Sequence, residues 1–548
     1  MKHSILIPTV LSAAILAACG GGGSSDTPTT GAGTPVTPAA LTLTGVAATG
    51  AAIVGGKVDI KCAAGTGTAT TIADGSYTVS ITGGSLPCVL KVTTGSAELY
   101  SLTENSGGSI VRANITPFTQ LVAAQIVGGN PANLYGSFDA SAQTKLSAAT
   151  VASAITAITD ALKGTVDLGG ANPLTATFTI GDAFDKQLDA FKAALDKAQV
   201  TLADVTAAVA ASGGSAAPVL TIIQPAATGC AGLRSGKYRA INPNETDPKW
   251  ANHVFQLNVD TMTISLWDGS TATLTDQGGC SFLTNEGGQV LVSKSGLTVV
   301  RDTPAGAPTQ TQVSVIVPEQ TLALSDLAGT WNALSYERAT AGGPLKPASV
   351  VFTIDASGAF TSGSDCVGLA ACTPWTGLPG KLTANAAGGF QFTDTDGTTY
   401  RVAAFKTADG QVSLYMLDPN AMGMTVAAKQ QALTLPTVGA ANSFWDFTIG
   451  ANGYASALSE AATTITAVDA ASQSYTRTRS SDGRVDSFTL NKPRDGLRYR
   501  AAGTSPTSTG GTVNFSELIN LPLPGTGVVV YESAAATQNF FGISINKP

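Results

Sequence analysis

Imidazole is scarce in this chain. Its 548 residues hold two histidines, His3 and His253. A Ser-His-Asp arrangement would have to use His253 in KWANHVFQL and draw its serine and carboxylate from distant segments. A structural histidine at a strand start is the simpler expectation. No HExxH helix, glycine-rich phosphate loop, GxSxG turn or CxxC pair is present, which removes the usual zinc, nucleotide, nucleophile-elbow and dithiol chemistries. Carboxylates are more plentiful. Asn244, Glu245 and Asp247 in NPNETDPKW, and Asp394 and Asp396 in TDTDGTTY, are oxygen donors at the short spacing calcium uses. The full EF-hand loop is missing, however, and Asp-Gly is the ordinary turn pair, so no metal and no cofactor are expected. A glycoside-cleaving pair needs two carboxylates across a cleft, and spacing alone designates none. Aromatic side chains remain. Trp375 follows Cys366 and Cys372 in DCVGLAACTPWTG, and an indole on a disulfide-braced loop is the leading ligand-binding candidate. Trp250 and Trp267 are the others, because exposed indoles on β scaffolds stack on flat apolar faces. Trp331 is expected in a core.

The thiols divide into one and six. Cys62, Cys88, Cys230, Cys280, Cys366 and Cys372 lie in the body, and Cys19 lies near the start. Six cysteines allow many pairings, and proximity in sequence favours Cys62–Cys88, Cys230–Cys280 and Cys366–Cys372. An even number suits an oxidising compartment. Before Cys19, Lys2 and His3 precede an apolar run, Ile5–Leu16, that is short for a bilayer span. LAAC, Leu16–Cys19, resembles the bacterial lipoprotein lipobox. That resemblance implies a signal peptide over 1–18, a diacylglycerol on the Cys19 thiol and an acylated (palmitate-type) amine after cleavage. Several acyl chains hold a protein stably on a membrane. The Gly/Ser/Thr/Pro tract over 19–40 then reads as a flexible tether. Gly20, rather than Asp, follows the cysteine, which within that family favours the outer membrane, facing either the periplasm or the cell surface.

These residues need elements to position them. Charged residues are only 12% and hydrophobic residues 43%, with 61 glycines, a composition of β modules with polar loops rather than of a disordered polyelectrolyte. A net charge of −7 and the absence of a Lys/Arg cluster exclude a nucleic-acid partner. Residues 41–113 alternate apolar and polar, with Asp74-Gly75 at a hairpin turn. GAAIVGGKVDI followed by ADGSY resembles the transthyretin-like, carboxypeptidase-regulatory-like β-sandwich, which implies a stalk or carrier. Over 114–215 the period changes. Thr116, Pro117 and Gly128 punctuate one helix. Val151, Ile155, Ile158 and Leu162 form one helical stripe, and Phe184, Leu188, Phe191 and Leu195 another. Thr201 and Asp204 make a capping box. A small helical domain covering its own core is expected.

Beyond Cys230 the chain reads as β modules over 230–327, 328–436 and 437–548. Phe255, Phe352 and Phe447 recur at spacings of 97 and 95 residues, and each module ends alike, in QVSVIVPEQ, GMTVAAKQQ and FGISINKP. Gly329-Thr330-Trp331 resembles the Gly-x-Trp of lipocalin-like and avidin-like barrels, where the tryptophan plugs the closed end. The expected class is mainly β with a helical insert: a β-sandwich, a small helical domain, then tandem barrels or sandwiches, with a β-propeller as the alternative. The expected function is a non-catalytic binding or structural module on a lipid anchor at the outer membrane. Its partner would be a polymer, a small apolar ligand or another envelope protein. The alternatives are a surface-anchored hydrolase and an accessory subunit of an envelope complex.

Overall fold

The computed structural model describes residues 40–548 apart from 96, 419, 536 and 537. Cys19, the signal segment and nearly all of the tether lie outside the described residues.

The strand Ala40–Val46 pairs antiparallel with Ser76–Thr82 and parallel with Ile110–Arg112. A second sheet runs in the order Thr66–Thr70, Lys57–Ala64, Ser85–Thr94, Ala97–Leu102. Alternation sends Leu43, Val58, Ile60, Leu90 and Val92 into one apolar layer between the two sheets. Cys62 and Cys88 are cross-strand partners in the second sheet and are disulfide-bonded. The tight turn at Asp74 closes as expected: its carboxylate accepts the Ser76 N–H at 2.9 Å, and Gly75 has φ of 78°.

Seven helices follow: α1 (Pro117–Val127), α2 (Pro131–Gly136), α3 (Ala140–Thr144), α4 (Ala148–Leu162), α5 (Ala183–Ala198), α6 (Leu202–Ala211) and α7 (Ala217–Ile222). Thr116 caps α1 with Pro117 at its first position and left-handed Gly128 at its end. Thr201 and Asp204 form the capping box of α6. The helices gather one core, to which the sandwich adds a few residues: Phe118, Leu121, Ile158, Phe184 and Phe191 pack with Val46, Val89 and Leu102.

None of the modules is a propeller blade: the first and third are closed barrels, and the middle one is an open barrel with two sheet edges. The first is a closed eight-stranded meander from Gly236–Ile241 to Gln312–Pro318, whose end strands pair from Tyr238↔Pro318 to Ile241↔Val315. The third closes in the same way, Ala441–Gly450 against Phe540–Asn546. Closure removes sheet edges. The middle module is a curled nine-stranded sheet in which first and last main strands, Gly329–Arg338 and Gly423–Lys429, also pair. Its two free edges are approached by the segment 373–384, which bonds Thr373 to Asp365 on one side and Thr383 to Gln391 on the other. The similar endings noted in the sequence are the closing strands of the three modules. The phenylalanine repeat is not a structural register: Phe255 and Phe352 lie on second strands, Phe447 on a first. Cys230–Cys280 and Cys366–Cys372 complete the three expected disulfides.

The barrels share a core. In the strand Val412–Asp418, Val412, Leu414 and Met416 face the middle barrel's interior, while Tyr415 and Leu417 face an apolar layer containing Trp445, Phe447, Phe541 and Ile543 of the third barrel. Such a strand is buried on both faces and reads as a continuous apolar run.

Candidate functional site

The middle barrel contains a cavity of about 490 Å³, and Trp375 lines it. Period-two geometry supplies the lining: Ser335 and Glu337 from Gly329–Arg338, Val350 and Phe352 from Leu345–Ile354. Trp375 is held at three points. Its backbone N–H donates to the Gly363 carbonyl at 3.0 Å. Its indole N–H donates to Asp365 Oδ1 at 2.8 Å. Its ring lies on the face of Gly363, where an added Cβ would stand 1.9 Å from the indole. Only glycine permits that seat.

An aromatic series runs into the cavity from the barrel's core. Trp331 stacks on Phe352 at 6.4 Å, and Phe352–Phe360, Phe360–Phe392 and Phe392–Tyr400 follow at 5.6, 5.1 and 5.1 Å. Trp331 is fully buried, its indole N–H on the Leu327 carbonyl at 3.0 Å, as the resemblance to Gly-x-Trp barrels implied for a structural residue. Carboxylates provide the polar groups: Glu337, Asp365 and Asp394 line the cavity with no Lys, Arg or His among its described lining residues. Thr425 donates to Glu337 at 2.8 Å. Burial pushes the Glu337 carboxyl up, and the nearby Asp418 and Asp394 push it further, against the hydrogen bonds from Thr425 and Ser335. The Tyr400 hydroxyl is also raised, by burial and then by Glu337 and Asp418. The cavity therefore combines ring faces with groups that accept hydrogen bonds and carry negative charge.

The loop bearing Trp375 is braced from outside its own barrel. Arg494, from the third barrel, donates to Ser349 Oγ and Asn332 Oδ1, both at 2.7 Å, and lies 3.2 Å from Cys366 Sγ.

Of the three tryptophans expected to meet a ligand, only Trp375 lines this cavity. Trp250 is a correction: it is 4% exposed, the Arg239 guanidinium covers its ring at 4.1 Å, and its indole N–H is taken by the Gly388 carbonyl at 2.9 Å. It latches the first barrel to the middle one. Trp267 is 53% exposed on the 266–270 turn of the first barrel and lines none of the cavities described here. His253 is buried beside Trp250, with Nε2 3.3 Å from the Asp247 carbonyl. Asn244, Glu245 and Asp247 spend their side-chain oxygens on local N–H groups and on Arg338. Asp394 enters the cavity, whereas Asp396 closes its turn by accepting from Thr398 N–H at 2.8 Å. Glu337, Asp365 and Tyr400 were not singled out in the sequence. The one available signal was the period-two placement of Ser335 and Glu337 on the strand Gly329–Arg338.

No family model matches this chain, and no curated protein matches it. Among solved structures, a protein of unknown function from the DUF3598 family of Nostoc punctiforme PCC 73102 aligns over 41% of this chain and 99% of its own, at 10% identity and a TM-score of 0.15. A Transferrin Binding Protein B (TbpB) double mutant from Haemophilus parasuis Hp5 aligns over 54% of this chain and 64% of its own, at 9% identity and a TM-score of 0.17. Intact Ap-TbpB, with N and C lobes, aligns over 54% and 66%, at 9% identity and a TM-score of 0.15. Superpositions this weak carry no functional argument.

Proposed function

We propose that this chain is a non-catalytic binding protein of the cell envelope, and that its middle barrel holds an organic ammonium ligand, such as an amino sugar, against Trp375. The observation that carries this reading is the composition of one cavity: a fixed indole and further aromatic rings beside Glu337, Asp365 and Asp394, without an opposing cation among the described lining residues. Aromatic faces and carboxylates both attract cations, and carboxylates accept hydrogen bonds from ammonium and hydroxyl groups alike. Attachment to the outer membrane through an acylated Cys19 belongs to the same proposal and is supported by the lipobox resemblance. Cys19→Ala is expected to release the protein from the membrane fraction, and a still-acylated, membrane-bound variant would overturn the anchor.

The test of the site is intrinsic tryptophan fluorescence of the purified chain, titrated with glucosamine, choline and neutral glucose. Saturable quenching or shift with glucosamine or choline, lost in Trp375→Ala, is expected. No saturable response to either, or an unchanged response in Trp375→Ala, would overturn the reading.

A second reading rests on the same carboxylates. A carboxyl raised by burial and by neighbouring carboxylates is a candidate general acid, and Glu337 has that character. Turnover of an aryl-glycoside panel, abolished in Glu337→Gln, would establish the hydrolase.

A further inference from the structure

The third barrel is lined in the opposite sense. Arg477 and Arg479 stand two apart on the strand Ser474–Arg479, and Arg498 and Arg500 two apart on Arg498–Arg500. Arg484 sits just before the strand Val485–Leu490. Period two sends each pair to one face, and all these arginines line a second cavity, of about 360 Å³.

Their counter-charges are few. Asp486 receives Arg477 at 2.8 Å, Arg484 at 3.2 Å and Arg500 at 3.0 Å. Asp482 pairs with Arg479 at the rim. Asp446 accepts the Tyr531 hydroxyl at 3.1 Å, and burial pushes its carboxyl up. Arg498 has no carboxylate partner among the described residues and donates to the Tyr475 hydroxyl at 3.0 Å. At least two positive charges are therefore in excess.

The surplus lies inside. Arg500 is 7% exposed, and burial lowers its pKa to about 10 despite Asp486. The Nε–H groups of Arg484, Arg498 and Arg500 are buried without an acceptor among the described residues. Phe488 lies under Arg477, Arg498 and Arg500, with centroid distances of 4.7, 5.2 and 5.9 Å. The ring orients the guanidinium planes but accepts no strong hydrogen bond. A hairpin, Gly503–Pro506 with Thr512–Phe515, inserts between the fifth and sixth barrel strands and brings Phe515 and Ser516 to the lining. Buried guanidinium donors left without acceptors are costly, and apolar residues would fill the lumen more stably. The planar fork of arginine matches carboxylate and phosphate oxygens.

We propose that the lumen of the third barrel is a binding site for a small multivalent oxyanion, whose carboxylate or phosphate oxygens pair with the surplus guanidinium groups of Arg484, Arg498 and Arg500 that line it. It is independent of the ammonium reading of the middle barrel, and each stands or falls by its own titration.

Calorimetric titration of the purified full chain at low ionic strength, with inorganic phosphate, pyrophosphate and citrate, tests it. At least one anion is expected to bind saturably with Kd at or below about 1 mM, and added salt is expected to weaken binding. Tighter pyrophosphate identifies a phosphate ligand, tighter citrate a polycarboxylate. Arg498→Gln and Arg484→Gln are each expected to weaken binding about tenfold or more, with circular dichroism establishing that the variant is folded. Arg498 is only half-buried and lacks a carboxylate partner, so Arg498→Gln decides the matter alone if Arg484→Gln does not fold. No saturable binding of any of the three anions, or undiminished affinity in the folded variants, would overturn the site.

Discussion

Glu337 and Asp486 show how a carboxylate's surroundings decide its role. Glu337 sits in a cavity with no cation among its described lining residues, so burial favours its neutral form. Its folded-state pKa lies above the ordinary value. The stability it contributes is therefore complete below the usual glutamate range and is lost as pH rises through the raised pKa. Glu337→Gln is expected to raise the thermal midpoint at pH 8 and to weaken glucosamine binding, both read by fluorescence. In the wild type, that binding should weaken as pH falls through the raised pKa. Asp486 is the opposite case. Burial pushes its carboxyl up, but Arg477, Arg484 and Arg500 together outweigh burial and hold it below the usual range. Asp486→Asn leaves three guanidinium groups around an uncharged side chain that is 2% exposed in the wild type. Urea unfolding is expected to show a loss of about 3–5 kcal/mol, the range for breaking a buried pair by removing one partner.

At the scale of elements, the segment 366–384 is the part of the middle barrel that turns a sheet into a site. It leaves one strand, is tied back by Cys366–Cys372, seats Trp375 on Gly363, and crosses to the other free edge. The disulfide closes a loop of sequence separation 6, so its effect on unfolded-chain entropy is modest, about 2 kcal/mol. It should also be felt at the site. The double variant Cys366→Ser/Cys372→Ser is expected to lose about that much stability in urea. Glucosamine affinity is expected to fall as well, by about tenfold, as the loop's conformational freedom has to be withdrawn on binding. A variant with full affinity would show that Gly363, Asp365 and Arg494 position the indole unaided.

At the scale of the molecule, the three barrels are not beads on a string. The third barrel turns Trp445, Phe447, Phe541 and Ile543 outward into the layer that also holds Tyr336, Tyr415 and Met424 of the middle one. Its lumen, by contrast, carries the arginines. Residues 437–548 alone would expose that apolar face and are expected to self-associate and to bind a hydrophobic dye. Residues 230–548 are expected to remain monomeric and to unfold in one calorimetric transition. Two separable transitions would show that the shared layer contributes little.

The three disulfides, the helix caps at Thr116 and Thr201, the Asp74 turn and the β character of everything beyond Cys230 were legible from sequence, because each depends on neighbours or on local periodicity. The arginine pairs at 477/479 and 498/500 were not singled out from sequence, because nothing local says which face of their strands is the lumen. In this barrel the inside is charged and the outside apolar, since the outside is covered by other barrels. The tryptophans are ambiguous for a related reason: Trp250 and Trp375 look alike in sequence, yet one is sealed between two barrels and the other lines a cavity. Burial is a property of what packs against a strand from far along the chain. Local sequence determined the elements and their caps, and tertiary closure alone decided which carboxylates, arginines and indoles share a space.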